Sequence, residues 1–593
     1  MKEGKQFIHM NEVPFGRKGT YMFLSQGPMG MEHFGKSDLW LCTNRASFSA
    51  SFAFYDNRMM SIHLLNRDGV RIPYAVDVKP AELSLVSDYG TVRFCFAEPS
   101  LLRVHSDDGL GISIDCAFTQ FHSMAKNMLD GSWQIVTNDT RVNILLVPMA
   151  GTLKVNAPYD WRTMKTVAFH GDFLADETGK LDVAIEEFEY EPTRRAVYPD
   201  YEAGVKAVEA EFNRYVEQCI PELPPEFESR RLQAAWTIWT HTRVPTRFGK
   251  IKREMITMNS EMFNAVFGWQ QPFQAMAHCK NEDFSWDLLQ SMFDFQIPET
   301  GQLPDHVDDG TVSYQAFKPP IQGVALNWLL RKGKFRSISR ERKQLLYDEL
   351  ALYLDFFFKF RDLDHDGLVE YHHCDESGTD ESPIFSTGLP VCTPDVNAYM
   401  VGILDALTLL GRELGKEEEA ARYAAQADEL TARVVKKLWN GERFIGFNCA
   451  TGEPVLSKSI HFYDALLMGK HLPQEIIDKV CADLFTDGVM MTPYGVPSEA
   501  LDSVFFEHRW SRGTIQAPTN CLLIMALSLC GKEDLARDLA RRYCLNLTKN
   551  GLYHMHDPIT GLGISKAIGV KTVQHWAAWS AGIYLMLVDQ FCR

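Results

Sequence analysis

The stretch "RRAVYPDYEAGVKAVEAEFNRYVEQCIPELPPE", residues 194–226, decides the fold. In it Val205, Val208, Phe212, Tyr215 and Val216 recur at helical spacing. "PELPPE" then ends the helix, because proline has no amide hydrogen and clashes with the preceding turn. Before this stretch the pattern alternates. "RMMSIHLLNRDG" (58–69), "AELSLVSDYGTVRFCFAEPS" (81–100), "LLRVHSDDGLGISIDCAF" (101–118) and "TRVNILLVPMAGTLKVNA" (140–157) switch between apolar and polar residues, with Gly, Asp and Asn turns between them. That pattern predicts an antiparallel β-sandwich over 1–195 and a linker helix over 196–225.

After the stretch the period is helical to the end. "ERKQLLYDELALYLDFFFKFRD", "VNAYMVGILDALTLLGREL", "KEEEAARYAAQADELTARVVKKLW" and "TVQHWAAWSAGIYLMLVDQF" are four of about eight such runs. They pair through short returns, and longer loops with unusual residues separate the pairs. No repeat of fixed length runs through them, which argues against an open solenoid. A closed toroid of helix hairpins over 226–593 is the expectation, with the long loops gathered at one mouth.

A chain of 593 residues is too long for one ordinary core, and 46% hydrophobic with 23% charged residues is a globular composition. The net charge of −17 disfavours nucleic acid or an anionic membrane as partner, since phosphate binding needs clustered Lys and Arg. No window holds the roughly 18 continuous apolar residues of a membrane helix. The first residues carry no signal-peptide run, and thirteen cysteines lack regular spacing, which together predict reduced thiols in a cytoplasm. Cys374 beside His372 and His373 has the look of a metal cluster, but no C-x-x-C or H-x-x-x-H elsewhere completes a zinc motif. "DLDHDGLVE" (362–370) matches the start of a calcium loop through Asp362, Asp364, Asp366 and Gly367, with Glu370 at position nine and no Glu at position twelve. Solvated acids at a helix end are the plainer alternative. No phosphate-cradling loop, nucleophile elbow or dinucleotide fingerprint occurs.

Seven loops in order carry a resemblance: "FGWQQPF" (267–273), "QIPETGQLPDH" (296–306), "KPPIQG" (318–323), "DESGTDESP" (375–383), "YGVPSE" (494–499), "RWSRGTIQAPTN" (509–520) and "HMHDPITG" with "WAAWS" (554–561, 576–580). In this order they resemble the (α/α)6-barrel glycoside hydrolases, most closely the family-63 group of processing α-glucosidase and bacterial α-glycosidases. The resemblance implies a multidomain protein, an N-terminal antiparallel β-sandwich plus a C-terminal (α/α)6 barrel. It implies a glycosidase that cleaves an α-glycosidic bond of a small oligosaccharide or glycoside by inversion. In this group the general acid is the last Asp of the acid loop, here Asp380. Glu376 and Glu381 beside it would raise its pKa by like-charge repulsion. The group's base is a Glu four residues before the Pro of the last loop; here that position is His554. Either His554, Asp557 or Glu499 activates the water, or an anionic phosphate held by His554, His556 and Arg512 replaces water in a phosphorylase, or the protein binds sugar without cutting it. Trp269, Trp510 and Trp579 sit at positions that line the sugar pocket, with barrel core as the alternative for each. Arg512, Glu376 and Gln270 can make paired bonds to hydroxyls, Gln270 standing where the group has Asp. Some members hold calcium in an acidic loop comparable to Asp362, Asp364, Asp366 and Glu370, so a structural Ca2+ is the one cofactor the resemblance suggests; none is required for the chemistry. A small carbohydrate is the expected partner, and a homo-oligomer stays open.

Overall fold

The structure is a computed structural model that describes residues 8, 10, 13–26, 39–45, 58–118, 123–137, 142–259, 264–564 and 576–593. The N-terminal region is antiparallel sheet. Its strands are β1 (Met22–Gln26), β2 (Leu39–Thr43), β3 (Arg58–Leu65), β4 (Ala75–Lys79), β5 (Glu82–Ser87), β6 (Gly90–Glu98), β7 (Leu101–Ser106), β8 (Gly111–Ala117), β9 (Met124–Asn127), β10 (Trp133–Thr137), β11 (Val142–Ala150), β12 (Thr152–Asn156), a small pair β13 (Tyr159–Asp160) and β14 (Lys165–Thr166), β15 (Ala168–Leu174) and β16 (Leu181–Phe188). Six pair in the order β1-β2-β3-β8-β15-β12 and eight in the order β4-β5-β6-β7-β16-β11-β10-β9. Leu39, Ile62 and Ile114 of the first sheet share one buried core with Leu83, Phe94 and Val183 of the second. The alternation read from the sequence is the alternation of these inward positions.

The last strand ends at Phe188 and helix α1 spans Tyr201–Cys219. The Asp200 carboxylate caps it by accepting the Ala203 amide at 2.9 Å, and Pro221 follows its end. Helices α2 (Glu228–His241), α3 (Gln270–Ala277), α4 (Glu282–Gln290), α5 (Gln322–Arg331), α6 (Arg340–Phe360), α7 (Pro394–Glu413), α8 (Glu417–Leu438), α9 (Gln474–Leu484), α10 (Ala517–Leu529), α11 (Glu533–Asn550) and a C-terminal helix (Ala578–Phe591) follow. A kinked 3-10 segment, Ile460–His471, lies between α8 and α9.

Two kinds of helix result from two kinds of sequence. In α8 only Ala420, Tyr423, Ala427, Leu430, Thr431, Val434 and Leu438 are buried, a single stripe. In α10 every residue from Ala517 to Leu527 is buried, as are nearly all of α5 and the C-terminal helix. A helix apolar all round must be covered on every side. Accordingly α3 packs on α5, α5 on α7, α7 on segment 460–471, that segment on α10, α10 on the C-terminal helix, and the C-terminal helix on α3. The striped helices α4, α6, α8 and α11 cover this succession from outside. No helix among the described residues is long and apolar enough to cross a membrane.

A buried ion cluster joins the sheets to the helices. Arg45 donates through Nε to Glu187 at 2.7 Å and through Nη1 to Asp309 at 2.8 Å, with its guanidinium 3.9 Å from the Tyr21 ring centre. Arg45 and Glu187 belong to the sheet region and Asp309 to the loop that precedes α5.

Candidate active site

The strand Glu370–Tyr371 leads into a 3-10 turn, Cys374–Ser377, that ends at Gly378 in the left-handed region (φ 70°). A Cβ at Gly378 would come within 2.6 Å of the Trp269 ring, so only glycine fits both the turn and the indole. Glu376, read from the sequence as a hydroxyl binder, is turned inward and fully buried. One oxygen accepts the His372 and His373 amides at 2.8 and 3.2 Å; the other takes the Arg361 guanidinium at 2.9 Å. These donors engage both oxygens at the root of the loop.

Beyond Gly378 the loop is tied a second time. Thr379 Oγ1 lies 2.5 Å from His461 Nε2 and 3.1 Å from Ser377 Oγ. His461 Nδ1 is 2.8 Å from Asp395 Oδ2, and that same oxygen accepts the Tyr371 hydroxyl at 2.7 Å. Thr379, His461 and Asp395 are all buried. Asp380 is therefore presented from a loop fixed on both sides of its turn.

The Asp380 carboxyl is reachable by solvent from the pocket mouth, but protein crowds its other sides. Its pKa is pushed up to about 6, mainly because that crowding strips hydration from the charged form. Lys318 opposes the shift; Asp375 and Asp305 add to it. The sequence pointed to Glu376 and Glu381 as the repelling charges. The structure corrects this: Arg361 neutralises Glu376, and Arg509 (3.0 Å) and Arg512 (3.3 Å) neutralise Glu381. Lys318 is nearly buried. Its ammonium sits 3.3 Å from Asp305 Oδ1 and 3.8 Å from Asp375 Oδ1, and donates to the Asp375 carbonyl at 3.2 Å. A group that donates its proton must carry it, so kcat is expected to fall as pH rises through about 6. A kcat–pH profile flat between pH 5 and about 8 would remove Asp380 from this role.

Trp269 packs edge-on to Trp579 with ring centres 5.4 Å apart, and Trp579 lies 4.4 Å from the His554 ring. Trp510 meets His554 edge-on at 6.4 Å. The three tryptophans and His554 thus form one cluster that reaches the acid loop through the contact of Trp269 with Gly378. Trp269 and Trp579 are 3% exposed, so they support the loop by packing. Burial pushes the His554 pKa down to about 3, which keeps the imidazole neutral and makes it a weak base. Gln270 is wholly buried, and neither atom of its amide has a hydrogen-bond partner.

Other residues read from the sequence lie elsewhere or are otherwise engaged. Glu499 is buried and accepts from Ser457 Oγ (2.7 Å), the Lys458 amide (2.7 Å) and Ser503 Oγ (2.5 Å). Burial raises its pKa against those donors. Asp557 accepts from His508 Nδ1 at 2.6 Å and from the Thr560 amide at 2.7 Å. Burial works against this carboxylate, yet these donors hold its pKa below the usual range. Buried His556 lies 3.1 Å from the Gly551 carbonyl. Arg512 also pairs with Glu507 at 3.2 Å. Asp380, Glu381, Phe385, Phe505, Arg509 and Arg512 line an open pocket of about 540 Å³.

The acidic loop divides. The carboxylates of Asp362, Asp364 and Asp366 converge, as the calcium reading requires, but the Lys437 ammonium contacts both Asp364 and Asp366. Glu370 turns instead to a second cluster with Asp364 and Cys449. His373 and Cys374 lie with Asp375, while His372 turns away to Glu370 at 3.2 Å. All thirteen cysteines are free thiols.

Sequence reasoning missed Lys318, Asp305, Asp375, Thr379, His461 and Asp395. Lys318 and Asp305 stood inside two of the quoted loops. A lysine beside "PP" and an acid ending "QLPD" were the available signal for a buried pair.

Comparison with known proteins adds the family. A model of the mannosylglycerate hydrolase MGH1-like glycoside hydrolase domain matches residues 266–576, just over half of the 593. The chain is 23% identical over 347 residues to mannosylglycerate hydrolase of Rubrobacter radiotolerans, covering 48% of this chain and 77% of that one. It is 23% identical over 343 residues to mannosylglycerate hydrolase MGH2 of Selaginella moellendorffii, covering 48% and 69%. Among solved structures it is similar to the GH63 mannosylglycerate hydrolase of Thermus thermophilus in complex with glucose, at 20% identity and a TM-score of 0.47 over 54% of this chain and 92% of that one. The acid loop, the tryptophans up to Trp576 and His554 within "HMHDPITG" fall in the matched span, and the chain belongs to the mannosylglycerate hydrolase MGH1-like glycoside hydrolases: it is a glycosidase.

Proposed function

We propose that this glycosidase cleaves an α-glycosidic bond of a small glycoside by inversion, with Asp380 as the general acid, at the mouth of an (α/α)6 barrel. The observation that carries the reading is the placement of Asp380: one carboxyl with a raised pKa, on a loop pinned on both sides of Gly378, at a pocket of oligosaccharide size. The six mutually packed segments that run from α3 round to the C-terminal helix support the barrel.

The relatives' names point to the substrate class. A mannosylglycerate ends in a carboxylate, and Arg509 and Arg512 stand beside Asp380 in the same pocket. A sugar joined to a small acidic aglycone suits that arrangement, the aglycone carboxylate taking over from Glu381 and Glu507 as partner of the guanidinium groups. His554, neutral and beside Trp579, stands at the position where the family carries its base and is the candidate to poise the water.

A second reading has its own support. An imidazole with a pKa of about 3 activates water poorly, whereas phosphate is already anionic and needs no base. The two arginines would then hold phosphate, and the product would be a sugar 1-phosphate.

One experiment separates them. Mannosylglycerate and related α-glycosides are incubated with and without phosphate, and the anomer first released is read by NMR. Inverting hydrolysis gives free β-sugar at a rate that ignores phosphate. Strict phosphate dependence selects the second reading, and release of the α-anomer first overturns inversion.

A further inference from the structure

Three strand segments far apart in the sequence, Glu370–Tyr371, Val391–Cys392 and Phe447–Asn448, form one small antiparallel sheet. Glu370 lies directly across from Cys392, and Cys392 across from Phe447. Residues opposite each other share a face, and residues two apart share a face. Glu370, Cys392 and Cys449 therefore point to the same side. Asp364 reaches that side from the preceding loop: ligand atoms of Asp364, Glu370 and Cys449 all lie within 4.8 Å of one another. The Cys392 thiol meets that of Cys449, and this contact, burial and the two carboxylates together push it well above its ordinary pKa.

We propose that Asp364, Glu370, Cys392 and Cys449 form a structural site for a thiophilic divalent cation, zinc foremost. Glu370 supplies the independent sign. It is 1% exposed, one of its oxygens lies 3.2 Å from His372 Nε2, and the other, Oε1, has no hydrogen-bond partner. A buried carboxylate oxygen without a donor, against two thiols and a second carboxylate, is a cluster with a positive charge owing. Four protein ligands make a closed, tetrahedral set, and two sulfurs favour zinc over calcium or magnesium. Zinc–ligand bonds of about 2.0–2.3 Å place tetrahedral ligands roughly 3.4–3.8 Å apart, so Asp364, Glu370 and Cys449 would draw in by about 1 Å, with Cys392 joining them through its contact with Cys449. Each thiol gives up its proton on ligation. Surrounding groups are arranged for it: His372 orients Glu370, and Asn397 Nδ2 approaches the Cys392 sulfur at 3.8 Å. The Lys437 ammonium touches Asp364 at 3.4 Å, from the solvent side.

The site shares Asp364 and Glu370 with the calcium loop expected from the sequence, so the two readings differ in chemistry and can be separated. The full chain, stripped with a chelator, is titrated with Co2+ and then Zn2+. A thiolate-to-cobalt charge-transfer absorption with one equivalent of metal, displaced by zinc, is expected. It should weaken to about half or less in Cys392→Ser and in Cys449→Ser, vanish when both are replaced, and persist in Cys374→Ser. Should the cysteine variants fail to fold, His372→Gln leaves all four ligands and is expected to weaken zinc about 10–100-fold. Absence of the absorption in the unaltered chain, its undiminished survival in the single variants or its survival when both cysteines are replaced, or thermal stabilisation by Ca2+ with none by Zn2+ overturns the proposal.

Discussion

Asp380→Asn is expected to lower kcat on natural glycosides by about 10²–10⁴-fold, the usual contribution of a positioned general acid. The carboxamide keeps the shape and leaves Thr379, Gly378 and Glu376 in place, so circular dichroism and the unfolding midpoint should change little. The loss should be far smaller on glycosides whose leaving group needs no proton, such as a nitrophenolate. That contrast identifies proton donation rather than damage to the pocket. Equal losses on both substrate types would show that Asp380 acts in some other way. Near pH 6 about half the molecules hold the proton in the unaltered enzyme, and none can supply it in the variant.

Arg361→Ala is expected to cost about 3–5 kcal/mol of stability, because it strands the fully buried Glu376 carboxylate. Urea unfolding measures it. A second substitution separates the stranded charge from lost packing: Arg361→Ala combined with Glu376→Gln should recover part of the loss, since the amide carries no charge to bury. A double variant no more stable than the single one would mean that packing, not charge, is the cause. Activity should fall in both, because Glu376 gathers the His372 and His373 amides at the root of the acid loop.

The large features were legible because they repeat or stand in order. A sheet-rich first part and a helical second part were legible, since alternation and helical spacing are properties of a local window. Asp380, Trp269, Trp579 and His554 were singled out because loops of a known order carried them, and they lie on neighbouring segments joined through the packing of Trp269 on Gly378. What escaped was pairing at a distance. Thr379 and His461 are 82 residues apart, and no local pattern ties a threonine to that histidine among 18. The charges acting on Asp380 were assigned to its sequence neighbours Glu376 and Glu381, whereas arginines from other segments cancel those two. Asp375 and Asp305, which do act, are held beside the acid by Lys318. The acidic run 362–370 read as one motif and folds as two clusters, because strand pairing turns Glu370 toward Cys449.

The Arg45 cluster ties the two regions into one working unit. Asp309, its anchor among the helices, is four residues from Asp305, and Asp305 grips the lysine that touches the acid loop. A shortened version made of the helical part alone would lose the counter-charge that steadies Asp309. Exchanging the front half for that of a cousin would therefore call for an arginine arriving at the same spot, because Asp309 would otherwise be left without its guanidinium.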